Sequence, residues 1–218
     1  MRRTPRSNPQ AVPAIVAAAL FIAGCGGLAA PVADAPSMRV LDVRPAAGGA
    51  AVAPSARTQV IEVSTVRASP GYDSAAIVYV ERPHALERFA THRWVDPPAA
   101  MIGPLVVRAL DESGAFKAVV HGPAGVSADL RLDIELTRLQ QSFVDRPSRV
   151  ELTLRLQLVE LAARRIVATR TVDVAAPAAA DNPDGGVAAA NAALADALGR
   201  IVEFCRTESA GGALRPGR

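Results

Sequence analysis

One thiol in this chain stands in a setting built for covalent chemistry. Cys25 follows Ile22-Ala23-Gly24, a branched apolar residue and then two small ones. Upstream, Ala14 to Ala23 is an unbroken apolar run, and Arg2, Arg3 and Arg6 form a basic leader with no acid among the first 24 residues. A helix needs about 20 apolar residues to span a bilayer, so this run is too short. It has the length of the apolar region of a secretory signal. A peptidase that cuts beside small residues would make Cys25 the new N-terminus, leaving its thiol and its freed amine as the two groups to acylate. Arg2-Arg3 lacks the surroundings of a twin-arginine export signal.

The four residues ending at Cys25 match the lipobox of bacterial lipoproteins. The expected modification is a diacylglycerol on the thiol and an N-acyl chain on the amine. Each buried CH₂ contributes about 0.8 kcal/mol, so two or three chains anchor stably where one does not. This divides the chain into a signal at 1–24, a lipidated N-terminus and tether at 25–37, a domain at 38–206, and a disordered tail at 207–218. Gly26, Gly27, Pro31 and Pro36 interrupt structure in the tether. The twelve residues from Gly26 to Ser37 reach about 40 Å at most, which keeps the domain close to its membrane.

Other reactive groups are thinly spread. His84 and His92 are eight apart and could share a metal only if the chain folded to help; exposed polar positions explain them as well. Cys205 would be the only cysteine left, on the apolar stripe of a helix, where a thiol is inert rather than nucleophilic. Asp129, Asp133 and Glu135 alternate with leucines, as carboxylates do on the solvated face of a strand. No G-x-S-x-G, H-E-x-x-H, P-loop or C-x-x-C occurs. The reading is therefore not an enzyme, with no catalytic residues, no metal and no cofactor apart from the acyl chains. The most distinctive stretch is Tyr79 to Trp94, which concentrates three aromatics with Arg82, Arg88 and Arg93. A binding edge and a core corner with a polar rim both account for it.

The elements that would hold these groups follow from periodicity. Leu130, Leu132, Ile134 and Leu136, then Val150, Leu152, Leu154, Leu156 and Leu158, alternate with polar residues. Strict period two predicts strands with one face in the core. Ile166 to Val174 is a third strand, joined by short turns into an antiparallel meander. Met38 to Val43, Thr58 to Val66, Ala75 to Val80 and Phe116 to Val120 read as further strands, with Ser69-Pro70-Gly71 as a turn. Pro45 to Ala56 is loose. Met101, Ile102, Leu105, Val106 and Leu110 predict a helix over 97–110, stopped by Gly114, with Pro104 as a kink or a delayed start. A second helix runs from Pro183 to Cys205, capped by Asn182. Val187, Asn191, Leu194, Leu198, Ile201, Val202 and Cys205 lie on its buried stripe. The expected fold is a single-domain α/β (α+β) sandwich: a mixed, largely antiparallel sheet with helices packed on it.

Charge removes one class of partner. The whole chain carries 24 Lys+Arg against 21 Asp+Glu. The leader holds three of those arginines, so the mature chain is balanced and has no basic footprint for nucleic acid. Aromatics make up only 4% of residues, so the core must be built from Leu, Val, Ile and Ala.

Several segments, in order, resemble one family. These are Ile77-Val78-Tyr79, Leu86-Glu87-Arg88-Phe89, Arg93-Trp94 before Pro97-Pro98, the helix with Leu105 and Leu110, Gly114-Ala115-Phe116 with Val119, and Ala128-Asp129-Leu130. With the lipobox they resemble the ABC-type transport auxiliary lipoproteins, which serve Pqi/MCE-type intermembrane transport systems. The resemblance covers about Met38 to Cys205. Phe89 stands where tyrosine is more usual, and Met38 to Ala56 matches poorly. The resemblance implies a periplasm-facing lipoprotein that works with an MCE-family protein and an ABC permease and ATPase. Such systems move lipids or other hydrophobic molecules across the envelope, and this component would act by docking and assembly. Gly26, in place of aspartate after the lipidated cysteine, favours the outer membrane by the enterobacterial sorting rule. Arg82, Arg88, Arg93 and Trp94 are the candidate partner-binding residues, and a homo-oligomer is admissible. The alternative is a structural envelope lipoprotein that assists assembly of another outer-membrane complex.

Overall fold

The computed structural model describes residues 35–43, 58–123, 125 and 127–212. The signal, Cys25, the tether up to residue 34, the loose stretch at 45–56 and residues 213–218 lie outside the described residues.

The strongest alternation becomes the spine of the fold. Strand β7 (Leu130–Ser142) pairs antiparallel with β8 (Arg149–Glu160) along its whole length, and β8 pairs likewise with β9 (Arg165–Pro177). A bulge between Leu136 and Arg138 shifts the alternation of β7. Even-numbered residues face the core before it, and Leu139 and Gln141 face the core after it. An extra residue in one strand has that consequence. Thr137, at the bulge, donates its hydroxyl to the Thr153 carbonyl at 3.2 Å.

The other edge of β7 is long enough to seat three short strands in succession, all parallel to it. They are β2 (Val60–Val63), β3 (Arg67–Ala68) and β4 (Ala76–Val80). Strand β6 (Ala118–His121) extends β2 in parallel. On the other side, β4 pairs antiparallel with β5 (Glu87–Trp94), and β5 pairs parallel with β1 (Ser37–Arg39). The result is an open nine-stranded mixed sheet. Its long pairings are antiparallel and its short ones are mostly parallel.

Helix α1 (Pro98–Ser113) runs unbroken through Pro104. That proline lies on the exposed face, where the carbonyl it leaves unpaired can meet water. Gly114 ends the helix at φ +62, a left-handed cap that glycine adopts without steric cost. Helix α2 (Pro183–Gly212) is capped as expected, the Asn182 side chain accepting the Gly185 N–H at 2.8 Å. The buried stripe of α2 is centred on alanines as much as leucines. Ala189, Ala190, Ala193, Leu194, Ala197, Leu198, Ile201, Phe204 and Cys205 are buried, while Val187, Asn191 and Val202 sit on its shoulder. Small residues let the helix lie close on β8 and β9.

The helix also runs past residue 206, so residues 207–212 are helical where a disordered tail was expected. Arg206 grips Glu203 at 2.8 Å, Thr207 donates to Glu203 at 3.1 Å, and Arg170 of β9 reaches Glu208 at 3.7 Å. These ties extend the helix beyond its apolar stripe. No helix of the described residues is long and apolar enough to cross a membrane.

Candidate functional site

Chain leaving the tether enters the fold at Ser37. Strand β1 has only three residues, too few to hold by its own ladder, and side chains of α2 secure it. Arg39 donates through Nε and Nη2 to Asp184 Oδ1 at 2.9 and 2.6 Å. Asp184 sits in the first turn of α2, where the helix dipole favours an acid. Asn191 Oδ1 accepts the Asp42 N–H at 2.8 Å, and its Nδ2 donates to the carbonyls of Val187 and Val40 at 3.0 and 3.4 Å. Leu41 and Val43 then bury their side chains in the core. The polar position on the helix stripe, Asn191, is thus a clasp for the incoming segment. Sequence alone places Asn191 on the helix but cannot show what lies against it.

The Tyr79 to Trp94 stretch contains a strand, β5, that the sequence pattern does not show. Its aromatics are mainly structural. Tyr79 stacks on Phe89 with centroids 4.4 Å apart, and Phe143 packs edge-on against both at 6.0 and 6.5 Å. The Tyr79 hydroxyl donates to Glu87 at 3.0 Å, and that bond raises the phenol above its ordinary pKa. Trp94 is 3% exposed and packs in the core. This corrects its place among the candidate partner-binding residues, because a ring so deeply buried offers no surface. Arg82, Arg88 and Arg93 are exposed. Arg82 stands in the β4–β5 turn, 3.8 Å from Glu87. Arg88 and Arg93 pair with Val78 and Ala76, alternate residues of β4, so the irregularity between those pairs turns both arginines to one face.

The other reactive groups have local duties. His84 sits in the turn at φ +67 and His92 lies on β5, its imidazole 4.0 Å from Asp184. Among the described residues no group of three or more His, Cys, Asp or Glu could hold a metal ion. Cys205 is fully buried, and burial pushes its thiol up to about 12. Asp129 accepts the Val60 N–H at 2.7 Å, Asp133 pairs with Arg131 at 3.0 Å, and Glu135 accepts from Ser69 at 3.0 Å.

A polar knot at the start of α2 has no sequence signature. Asp181 accepts the Ser148 N–H at 2.8 Å and pairs with Arg146 at 2.6 Å. Buried Gln141 donates to Ser148 and to the Asn182 carbonyl at 2.9 and 3.2 Å. The Ser148 N–H holds the Asp181 carboxyl below its ordinary pKa. Between β9 and α2 lies an open groove of about 430 Å³, its floor of Val172, Ala195 and Gly199 flanked by Arg170 and Arg200.

Residues 40–202 match the model of the ABC-type transport auxiliary lipoprotein component. The chain belongs to this family. The family is one of transport auxiliary lipoproteins rather than enzymes, and it places the chain in the cell envelope. No curated protein matches the chain. Among solved structures it is similar to a Xanthomonas campestris protein of the DUF330 family. The TM-score is 0.71 at 22% identity, over 82% of this chain and all of that one. It is also similar to an uncharacterised protein, with a TM-score of 0.62 at 13% identity, over 79% of this chain and 99% of that one. At these identities both likenesses establish the fold alone.

Proposed function

We propose that this auxiliary lipoprotein, lipid-anchored through Cys25, docks an MCE-type periplasmic conduit and its ABC permease and ATPase at a membrane. It would thereby help move lipids or other hydrophobic molecules across the envelope. The observation that carries this reading is the family match over 40–202. Two features of the chain support it. The lipobox ending at Cys25 supplies the anchor, and Gly26 after it favours the outer membrane. The segment that follows the anchor is clasped to the domain by Arg39–Asp184 and Asn191, so a pull on the lipid is carried into β5 and α2.

The partner surface in this reading centres on Arg82 and Arg88 at the β4–β5 turn, with Arg93 at its border. The test is affinity purification from detergent-solubilised membranes with mass spectrometry of what co-elutes. The expected result is recovery of permease, ATPase and MCE protein, weakened by Arg82→Ala with Arg88→Ala while thermal unfolding stays unchanged. Recovery of an unrelated outer-membrane complex in their place would contradict it.

A further inference from the structure

The described residues expose six large apolar side chains, and three of them gather at the point where the tether enters. Met38, Val40 and Val95 are 52%, 48% and 44% exposed. Met38 pairs with Arg93 across the parallel β1–β5 ladder, and the Val95 N–H donates to the Arg39 carbonyl at 2.8 Å. Continuing that register one step sets Val40 beside Val95. Alternation then assigns the faces. Arg39 reaches Asp184 of α2 and Trp94 is buried in the core, so Met38, Val40, Arg93 and Val95 share the opposite face, at the β1 edge of the sheet.

We propose that this corner, Met38, Val40 and Val95 with Arg93, rests on an anionic phospholipid surface, giving the domain a second membrane contact and a fixed orientation. The inference rests on the lipidation of Cys25. Ser37 lies twelve residues on from Cys25, and a flexible chain of that length spans about 20 Å root-mean-square. A patch tethered so closely meets the bilayer at an effective concentration on the order of millimolar. Weak interfacial affinity is enough under those conditions. Apolar side chains beside an arginine match the boundary between acyl chains and anionic headgroups. No other part of the fold is joined to the anchor by so short a path.

The test uses the full mature lipoprotein reconstituted into phosphatidylglycerol vesicles with brominated acyl chains. An environment-sensitive fluorophore is placed on Met38→Cys or, as control, on Ile166→Cys. Ile166 is 56% exposed on β9, five strand spacings from β1 in the order β1-β5-β4-β7-β8-β9, which is about 24 Å. Buried Cys205 does not compete for label. The expected result is bromine-dependent loss of fluorescence at position 38 and none at 166. The loss should shrink in phosphatidylcholine vesicles and with Arg93→Glu.

No loss at 38, equal loss at both positions, or a loss at 38 indifferent to lipid charge overturns the proposal. So does Arg93→Glu that lowers partner co-purification and leaves quenching intact, which would make the corner a protein contact. The mass of the N-terminal peptide separates the two readings. An acylated Cys25 with an unquenched position 38 removes this inference alone, whereas an unmodified Cys25 removes the anchor and this inference together.

Discussion

Among the contacts that hold the incoming segment, the Asn191 clasp and the burial of Leu41 can be compared in magnitude. Besides its local bond to the Val187 carbonyl at 3.0 Å, an acceptor inside α2 that the helix ladder also serves, Asn191→Ala removes the bond to the Asp42 N–H at 2.8 Å and the longer one to the Val40 carbonyl at 3.4 Å. The second lies beyond the usual 2.7–3.2 Å span of a good hydrogen bond and counts for little. The Asp42 amide is exposed, so water replaces the lost acceptor, and the cost is about 1 kcal/mol. Alanine is a better helix former than asparagine by a few tenths to about 0.7 kcal/mol. The net loss is therefore about 0.5 kcal/mol.

Leu41→Ala instead empties a site that is 4% exposed. Buried leucines cost about 2–5 kcal/mol on truncation. The lower end applies here, because a peripheral segment can open locally and so limit the loss. Urea unfolding followed by the single tryptophan reads this well, since Trp94 is the ladder partner of Arg39. Leu41→Ala should lower stability by about 2 kcal/mol and Asn191→Ala by a quarter of that. Hydrogen exchange at the Asp42 amide should quicken in both variants. A loss of about 2 kcal/mol or more for Asn191→Ala, against the ordinary net value of one hydrogen bond, would refute the ranking of Leu41 burial above the Asn191 clasp in holding this segment.

Two further outcomes follow from titratable groups. The folded-state pKa of Asp181 is depressed by the Ser148 N–H. Its contribution is therefore present above the unfolded carboxylate pKa and lost as pH falls through the folded value. Thermal unfolding of wild type and Asp181→Asn should differ at neutral pH and converge in acid; a constant gap would contradict this. The Cys205 thiol, raised to about 12 by burial, should resist maleimide at neutral pH in the folded protein and react on denaturation. Rapid labelling of the native chain would mean that the α2–sheet interface opens.

The parts of the fold legible in the sequence are those where periodicity is strict. Strands β7 and β8 follow directly from their leucines, and α2 from its stripe and the Asn182 cap. Strand β5 was hidden because Glu-Arg-Phe-Ala-Thr-His-Arg-Trp does not alternate cleanly. The irregularity against β4 between Ala76 and Val78 lets polar side chains follow one another. That same irregularity turns Arg88 and Arg93 to one face, which no local pattern records. Pairing of β1 with β5 joins residues more than fifty apart, and only the three-dimensional arrangement shows it. Trp94 was ambiguous for a related reason: an aromatic among arginines suits a surface or a core, and the strand's direction decides. The last turns of α2 depend on Arg170 and Glu208, partners that come together only once β9 is placed.

Attachment of this domain to a membrane rests on the chemistry at one sulfur. Mass spectrometry of the N-terminal peptide of protein purified from membranes tests it directly. The predicted result is a chain beginning at Cys25 with a thioether-linked diacylglycerol and an acylated amine. A chain that begins elsewhere, or that carries a free thiol at Cys25, would contradict the account.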